Sequence, residues 1–410
     1  MSDRPDIEAQ ASVAEADWFR KPELAAVFAA LNRDGHEARI VGGALRNTLI
    51  GLPVGDVDFA TTAPPDTIAR LANEAGLKSV PTGIDHGTLT VVSARIPFEV
   101  TTLRRDVETH GRHATVAFTR DWAEDAARRD FTINALYADA SGSVYDPLRG
   151  LPDLAARRVR FIGSARDRIR EDYLRILRFF RFTAEYAAGP PDLEGLSACI
   201  RERAGLAGLS AERIRAELLR LLIARRPLVA LEPMAESGLL ISLLGGVVRL
   251  GTFERLAAIE AQLDQKPAAI RRLAALAVMV EEDATRLAER LRLSNAEAAR
   301  LMGMAAYRPR LLAGMPDAEA RVALYRLGAE TFRDRVLIAA AHGESEDILT
   351  ALALPDRWPR PQFPIKGKDL MACGFQPGPE LGATLRRLEE RWIASDFTLT
   401  YAELLALAKN

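Results

Sequence analysis

The sequence predicts a mixed α/β or α+β head followed by an all-helical body and tail. Short β-rich runs (ARIVGG, DVDFATT, GTLTVVS, IPFEVTTL and FTINALYAD) crowd the stretch from Ala38 to about Val144, separated by turn residues such as Gly55-Asp56 and Pro64-Pro65-Asp66. No strand alternation follows residue 165, and alanine, leucine and arginine recur there with helical spacing as far as Ala353. Breaks fall at Gly189-Pro190-Pro191 and at the proline cluster between Leu354 and Pro364.

In chain order, Trp18 to Asn32 and Asp66 to Ala75 read as helices flanking the first strands. After Asp146-Pro147, Arg168 to Glu185 reads as one long amphipathic helix, and Ser210 to Ala224 as another with Ser210 as its N-cap. Lys366 to Asn410 has helix–turn–helix texture. The expected parts are a head over 1–150, a helical neck over 151–260 and a helical body and tail over 261–410.

The 410 residues, 48% hydrophobic and 27% charged, suit about two to four domains and exclude a disordered or fibrous chain. Apolar runs such as Leu218 to Ala224 are cut by arginine well short of the roughly 18 residues of a membrane span. Met1 to Gln10 lacks the apolar core of a signal peptide, and Cys199 and Cys373 read as separate reduced thiols. A cytoplasmic protein without membrane attachment is expected. The net charge of −1 excludes a uniform basic coat. From Arg157 to Arg181, however, nine arginines accompany three acids, a local patch that favours a polyanion.

Chemistry is written in five places. Val41-Gly42-Gly43 leads a strand into a helix carrying Arg46, an arrangement open to an anion or to a plain tight turn. Asp56 and Asp58 are two apart, so in a strand both carboxylates share a face; a hard cation such as Mg²⁺ relieves their repulsion, while a solvated loop is the alternative. Glu99 lies between Phe98 and Val100 and faces away from both, as a third carboxylate or as an acid on a solvated sheet face. Arg128 and Arg129 stand at the lip of FTINAL. Asp172 and Arg175 are neighbours at i,i+3 on the expected helix, whether as a recognition pair or as an ordinary ion pair. Rotation by about −60° per three residues carries Arg178 round and sets Arg181 nearly opposite Asp172, so a straight helix does not point all four into one pocket.

Taken together, GGALRNTLIGLPVGDVDFATTAPPD, PTGIDHGTLTVV, FEVTTLRRD, ARRDFTINALYAD and REDYLRILRFFRF resemble, in order and spacing, the bacterial-type (class II) CCA tRNA nucleotidyltransferase and poly(A) polymerase family. The resemblance is dense from Ile40 to Phe182 and returns in KGKDLMACGFQPGPELGATLRRLEERW. It implies an α+β class: a polymerase-β-like nucleotidyltransferase head with a small sheet, then an all-helical body and tail. The implied reaction adds CMP, CMP and AMP from CTP and ATP to the tRNA 3′ end without a template. By the same resemblance Asp56 and Asp58 bind Mg²⁺, and Glu99 is the third carboxylate. Gly43 and Arg46 hold phosphate, and Arg129 is a further nucleotide contact. Asp172 and Arg175 read the base edge, with Arg178 and Arg181 close to the nucleotide.

Two departures stand out. Asn47 replaces the aspartate common after the arginine, and Ala114 replaces a common proline in the loop Val107 to Phe118, which is linked in the family to the change from C to A addition. Alternatives are a bacterial poly(A) polymerase, a partial enzyme adding only CC or A, and a non-catalytic RNA-binding protein. Against the first, the expected Gly-Arg-Arg-Phe-type segment is replaced by Pro81 to Thr88. The sequence points to no protein partner.

Overall fold

Alternation of apolar and polar residues builds the head. In the computed structural model, which describes residues 11–83, 87–110, 113–305, 317–343 and 348–409, nine strands follow in chain order. They are β1 (Ala38–Val41), β2 (Asp58–Thr61), β3 (Lys78–Gly83), β4 (Thr88–Ser93), β5 (Ile96–Thr102), β6 (Arg104–His110), β7 (His113–Phe118), β8 (Tyr137–Ala138) and β9 (Val144–Tyr145). Seven form one sheet in the order β3-β4-β5-β2-β1-β8-β9, and β6 and β7 pair as a separate antiparallel ribbon. Within the sheet β2 and β5 run parallel, with Asp58 opposite Glu99.

Helices α1 (Pro22–Leu31) and α3 (Pro65–Glu74) cover one face of the sheet. Phe28 of α1 meets Phe59 of β2 at a ring distance of 4.9 Å, and Phe59 meets Phe98 of β5 at 5.9 Å. Residues alternate along a strand, so Phe59 and Phe98 on the covered face send Asp58 and Glu99 to the other. Between these helices, α2 (Gly43–Leu49) leaves β1 through Gly42, whose φ of 73° is a conformation glycine adopts without strain.

Further helices of the first unit, Met1–Leu239, are α4 (Trp122–Ala127), which packs Trp122 and Ala126 against Val41, Ala60 and Tyr137 of the sheet, α5 (Gly150–Ala155), α6 (Ala165–Glu171), α7 (Leu174–Tyr186), α8 (Leu193–Arg201), α9 (Ala211–Leu222) and α10 (Leu228–Glu236). Phe179 and Phe182 of α7 bury themselves against Phe161 and Phe131 with ring distances of 5.0–5.3 Å, which fixes that helix beside the head. Gly195 of α8 permits close approach, because a Cβ there would stand 2.7 Å from the Phe179 ring.

Several expectations are corrected. Helix α1 starts at Pro22 rather than Trp18, since proline suits a first helical turn. FTINALYAD is a 3₁₀ turn over Thr132–Asn134 and a two-residue strand, not one strand. The expected helix over Arg168 to Glu185 is two helices. Asp172 between them is extended (φ −152°, ψ 106°), and its Oδ1 accepts the Leu174 N–H at 3.1 Å, which starts α7 afresh. Strand β3 has no counterpart in the expected runs. Ser210 occupies the N-cap position of α9 without a capping side-chain bond. Ile84 to His86, Met1 to Gln10 and the Ala114 side chain lie outside the described residues.

The chain divides into two compact units, Met1–Leu239 and Leu240–Asn410, and the expected neck over 151–260 runs across that boundary. In the second unit no strand occurs among the described residues. Its helices Pro379–Ala394 and Tyr401–Lys409 enclose Leu388, Trp392 and Leu404 together with Tyr325 and Leu370. Elsewhere in that unit Glu260 and Asp334, each 1% exposed, are paired with Arg271, Arg272 and Arg300. Among the described residues no helix is long and apolar enough to cross a membrane.

Candidate active site

Asp58 begins β2, and its neighbour across the parallel pairing is Glu99 of β5. Adjacent strands lie about 4.8 Å apart, so the two acids share one face of the sheet at close range. Asp56 does not extend the strand as expected. Asp58 pairs with Val41, the last residue of β1, and Gly42 then turns away, leaving Asp56 without a partner strand in an exposed loop. Burial, then the charges of Glu99 and Asp56, push the Asp58 carboxyl up to about 6. Among the described residues no three ligating side chains form a finished metal cage. What exists is a set of hard carboxylate oxygens whose mutual repulsion a divalent cation offsets while substrate oxygens complete its shell.

Beside Asp58 opens a cavity of about 450 Å³, lined by Val41, Gly42, Gly43, Arg46, Asp58, Arg128, Arg129, Asp130, Asn134, Asp172, Arg175, Arg178, Arg181 and Phe182. Six arginines against three carboxylates make its lining cationic, the balance a polyphosphate needs. Of the residues singled out in the sequence, Gly43, Arg46, Asp58, Arg129, Asp172, Arg175, Arg178 and Arg181 all line it. Asp56 and Glu99 adjoin it through Asp58 but are not in its wall.

The cavity therefore collects Asp172, Arg175, Arg178 and Arg181 together, contrary to the straight-helix expectation. The reason is the break at Asp172, which takes that carboxylate off the helical rotation. Arg175, Arg178 and Arg181 remain on α7 and sweep an arc along the wall. Asp172 and Arg175 make no ion pair with each other. Asp172 Oδ2 accepts from Arg213 Nη2 of α9 at 2.7 Å. Arg175 donates to Glu171 at 2.5 Å and to the Arg168 and Arg128 carbonyls at 2.8 and 3.1 Å. Arg178 Nε donates to Asp130 at 2.7 Å and Arg181 Nε to Glu217 at 2.6 Å. The guanidiniums of Arg46, Arg178 and Arg181 all pack within 5.3 Å of the Phe182 ring centre.

Arg46 is 6% exposed. Burial lowers its pKa, and it donates to Asn134, to Tyr186 at 2.7 Å and to Asn47 at 3.2 Å. Asn134 in turn donates to Asp130, so Arg46 and Arg178 are joined through two side chains. Asn47 also uses its own N–H, donating to the Pro53 carbonyl at 2.8 Å, a bond that an ionised aspartate has no donor to make.

The basic stretch Arg157 to Arg181 is less free than its composition suggests. Eight of its nine arginines pair with acids, but those acids number five: Asp130, Asp153, Glu171, Glu202 and Glu217. Sequence reasoning also missed Asp125, Asp130, Asn134, Phe182, Arg213 and Glu217. Asp130 and Asn134 sat in a singled-out motif, whereas the pairings of Arg213 and Glu217 span 41 and 36 residues and leave no local signal.

Residues 38–160 match the family described as the poly A polymerase head domain, and 194–247 that described as a probable RNA and SrmB-binding site of polymerase A. With the paired acids and the cationic cavity, these define a nucleotidyltransferase. The chain is 38% identical over 392 residues to the mitochondrial CCA tRNA nucleotidyltransferase 1 of Danio rerio, covering 93% of this chain and 89% of that protein. It is 32% identical over 390 residues to the CCA-adding enzyme of Latilactobacillus sakei, covering 92% and 94%. Its fold resembles the crystal structure of the Bacillus stearothermophilus CCA-adding enzyme in complex with CTP, with a TM-score of 0.70, 26% identity, and 95% and 98% of the two chains covered. The chain belongs to the CCA tRNA nucleotidyltransferase family.

Proposed function

We propose that this protein adds CMP, CMP and AMP to the 3′ end of tRNA without a nucleic-acid template, using CTP and ATP. The observation that carries the reading is the placement of Asp58 and Glu99 at the edge of a cavity that also holds Asp172 and Arg175. Asp56 and Asp58, with Glu99 beside them, would hold Mg²⁺, which when bound supplies Lewis-acid polarisation of the α-phosphate and of the attacking hydroxyl.

The remaining work falls to the chain's own groups. The Gly42-Gly43 turn and Arg46 hold the triphosphate, and Arg129, Arg178 and Arg181 add cationic contacts that orient it. Asp172 accepts a hydrogen bond from the exocyclic amino group that cytosine and adenine share, and Arg175 donates to a ring nitrogen or carbonyl. UTP and GTP offer a carbonyl oxygen to the same carboxylate and are refused. We assign these roles to a head over 1–150 and a neck over 151–260, with a tRNA-binding body and tail over 261–410. The proposed compartment is the cytoplasm, supported by free thiols at Cys199 and Cys373.

The test is incubation with tRNA transcripts ending before CCA, after C and after CC, each with one labelled nucleotide. Stepwise addition of C, C and A supports the reading. Repeated AMP addition to any end identifies a poly(A) polymerase, a single-step product a partial enzyme, and no incorporation a binding protein.

A further inference from the structure

Arg128 and Arg129 are consecutive in the chain and both line the cavity. Neighbouring guanidiniums repel, and each long side chain has many rotamers to lose when it is ordered. Here one carboxylate holds both. Asp125 lies in α4, three and four residues earlier, the spacing that brings partners to a common side of a helix. Its Oδ1 accepts from Arg128 Nε at 2.9 Å and Nη2 at 2.5 Å. Its Oδ2 accepts from Arg129 Nε at 3.3 Å and Nη2 at 2.9 Å, and from the Tyr137 hydroxyl at 2.7 Å.

Asp125 is 1% exposed and is not in the cavity wall. The arginines' remaining bonds also run from Nε, Arg128 to the Arg104 carbonyl at 3.0 Å and Arg129 to Tyr137 at 3.1 Å. Among the described residues, neither guanidinium spends its Nη1 on a protein partner. Each is gripped along its Nε–Nη2 edge and keeps its Nη1 donors for something else.

We infer that Asp125 is a positioning residue for the incoming nucleoside triphosphate: without touching it, Asp125 clamps Arg128 and Arg129 so that their Nη1 donors meet the nucleotide's oxygens. The inference rests on the proposed nucleotide cavity. A flexible pair would have to be ordered at every binding event; a clamped pair is ordered when the protein folds. The clamp reaches further. Arg128's own carbonyl accepts from Arg175, so Asp125 also steadies the strut behind the proposed base reader. Burial opposes a charge on Asp125, but Arg129, Arg128 and Tyr137 outweigh it, so the carboxylate stays ionised between its two arginines.

The experiment uses the full-length protein and equilibrium CTP binding. Asp125→Asn keeps the shape but turns an N–H toward one guanidinium. We expect it to weaken CTP binding about tenfold while tRNA affinity and the circular dichroism spectrum hold. In an Arg128→Ala/Arg129→Ala background, adding Asp125→Asn should alter CTP affinity less than twofold, because nothing is left to position. Unchanged CTP affinity in folded Asp125→Asn, or an equal loss in both backgrounds, overturns the inference. If Arg128→Ala/Arg129→Ala itself leaves CTP binding intact, it is the proposed cavity that fails.

Discussion

Arg213 of α9 holds Asp172 by a 2.7 Å hydrogen bond between residues 41 apart in the chain, and Asp172 is the residue that interrupts the helix before α7. The proposed base-reading carboxylate is thus set by a second helix rather than by its own. Removing Asp172 removes both the attraction for an amino group and the repulsion of a carbonyl. Asp172→Ala should lower CTP and ATP use and narrow the gap to UTP and GTP by about tenfold or more in single-turnover assays. Arg213→Ala should move selectivity the same way, less far. Arg181→Ala, whose guanidinium is held by Glu217, should slow turnover without relaxing base choice.

Asp58 and Glu99 place two carboxylates side by side on one sheet face, and their repulsion helps push Asp58 up. Asp58→Ala should abolish incorporation of both CMP and AMP while tRNA binding survives. Mg²⁺ should raise the melting temperature of the wild-type protein and leave that of Asp58→Asn nearly unmoved. Equal shifts in the two proteins would remove Asp58 from the metal site.

The Asp125 carboxyl is brought down to about 2 from 3.8: burial acts to raise it, and Arg129 and Arg128 prevail. A depressed folded-state value stabilises the protein above the unfolded pKa, and that contribution disappears as pH falls from about 4 through 2. It amounts to about 2 kcal/mol at neutral pH. In denaturant titrations Asp125→Asn should flatten the acid limb of stability over that window, lowering stability at pH 7 more than at pH 2.

Eight arginines of the stretch 157–181 sharing five carboxylates leave a modest local cationic excess there. tRNA affinity should therefore fall roughly tenfold or more between about 50 and 200 mM salt. A flat response in filter binding would sink the polyanion reading of this surface.

Strands β4 and β5 were legible because a sheet stretch covered on one side writes its alternation into the sequence, which also set Glu99 on the open face. Strands β1 and β2, buried at consecutive positions, were legible as short β-rich runs bounded by turn residues. The break at Asp172 was not. Ile169, Ile176, Leu177 and Phe180 keep helical spacing straight through it, so apolar periodicity reports an unbroken helix. The overlooked sign was Asp172 itself, a residue type that bonds the backbone two positions on. Arg213 and Glu217 escaped for another reason: their partners Asp172 and Arg181 come from distant segments, and a pairing made only by folding has no spacing to read.

Helix α7 alternates, within 13 residues, between phenylalanines that glue it to the head and arginines that face the cavity. No side of it is idle. A substitution at Phe179 that shifts the helix by a fraction of an ångström displaces Arg175, Arg178 and Arg181 as one body, so with Arg175 in its proposed base-reading role a packing error here should surface as a misincorporated nucleotide. On that proposed role, nucleotide choice and packing are written into the same 13 residues.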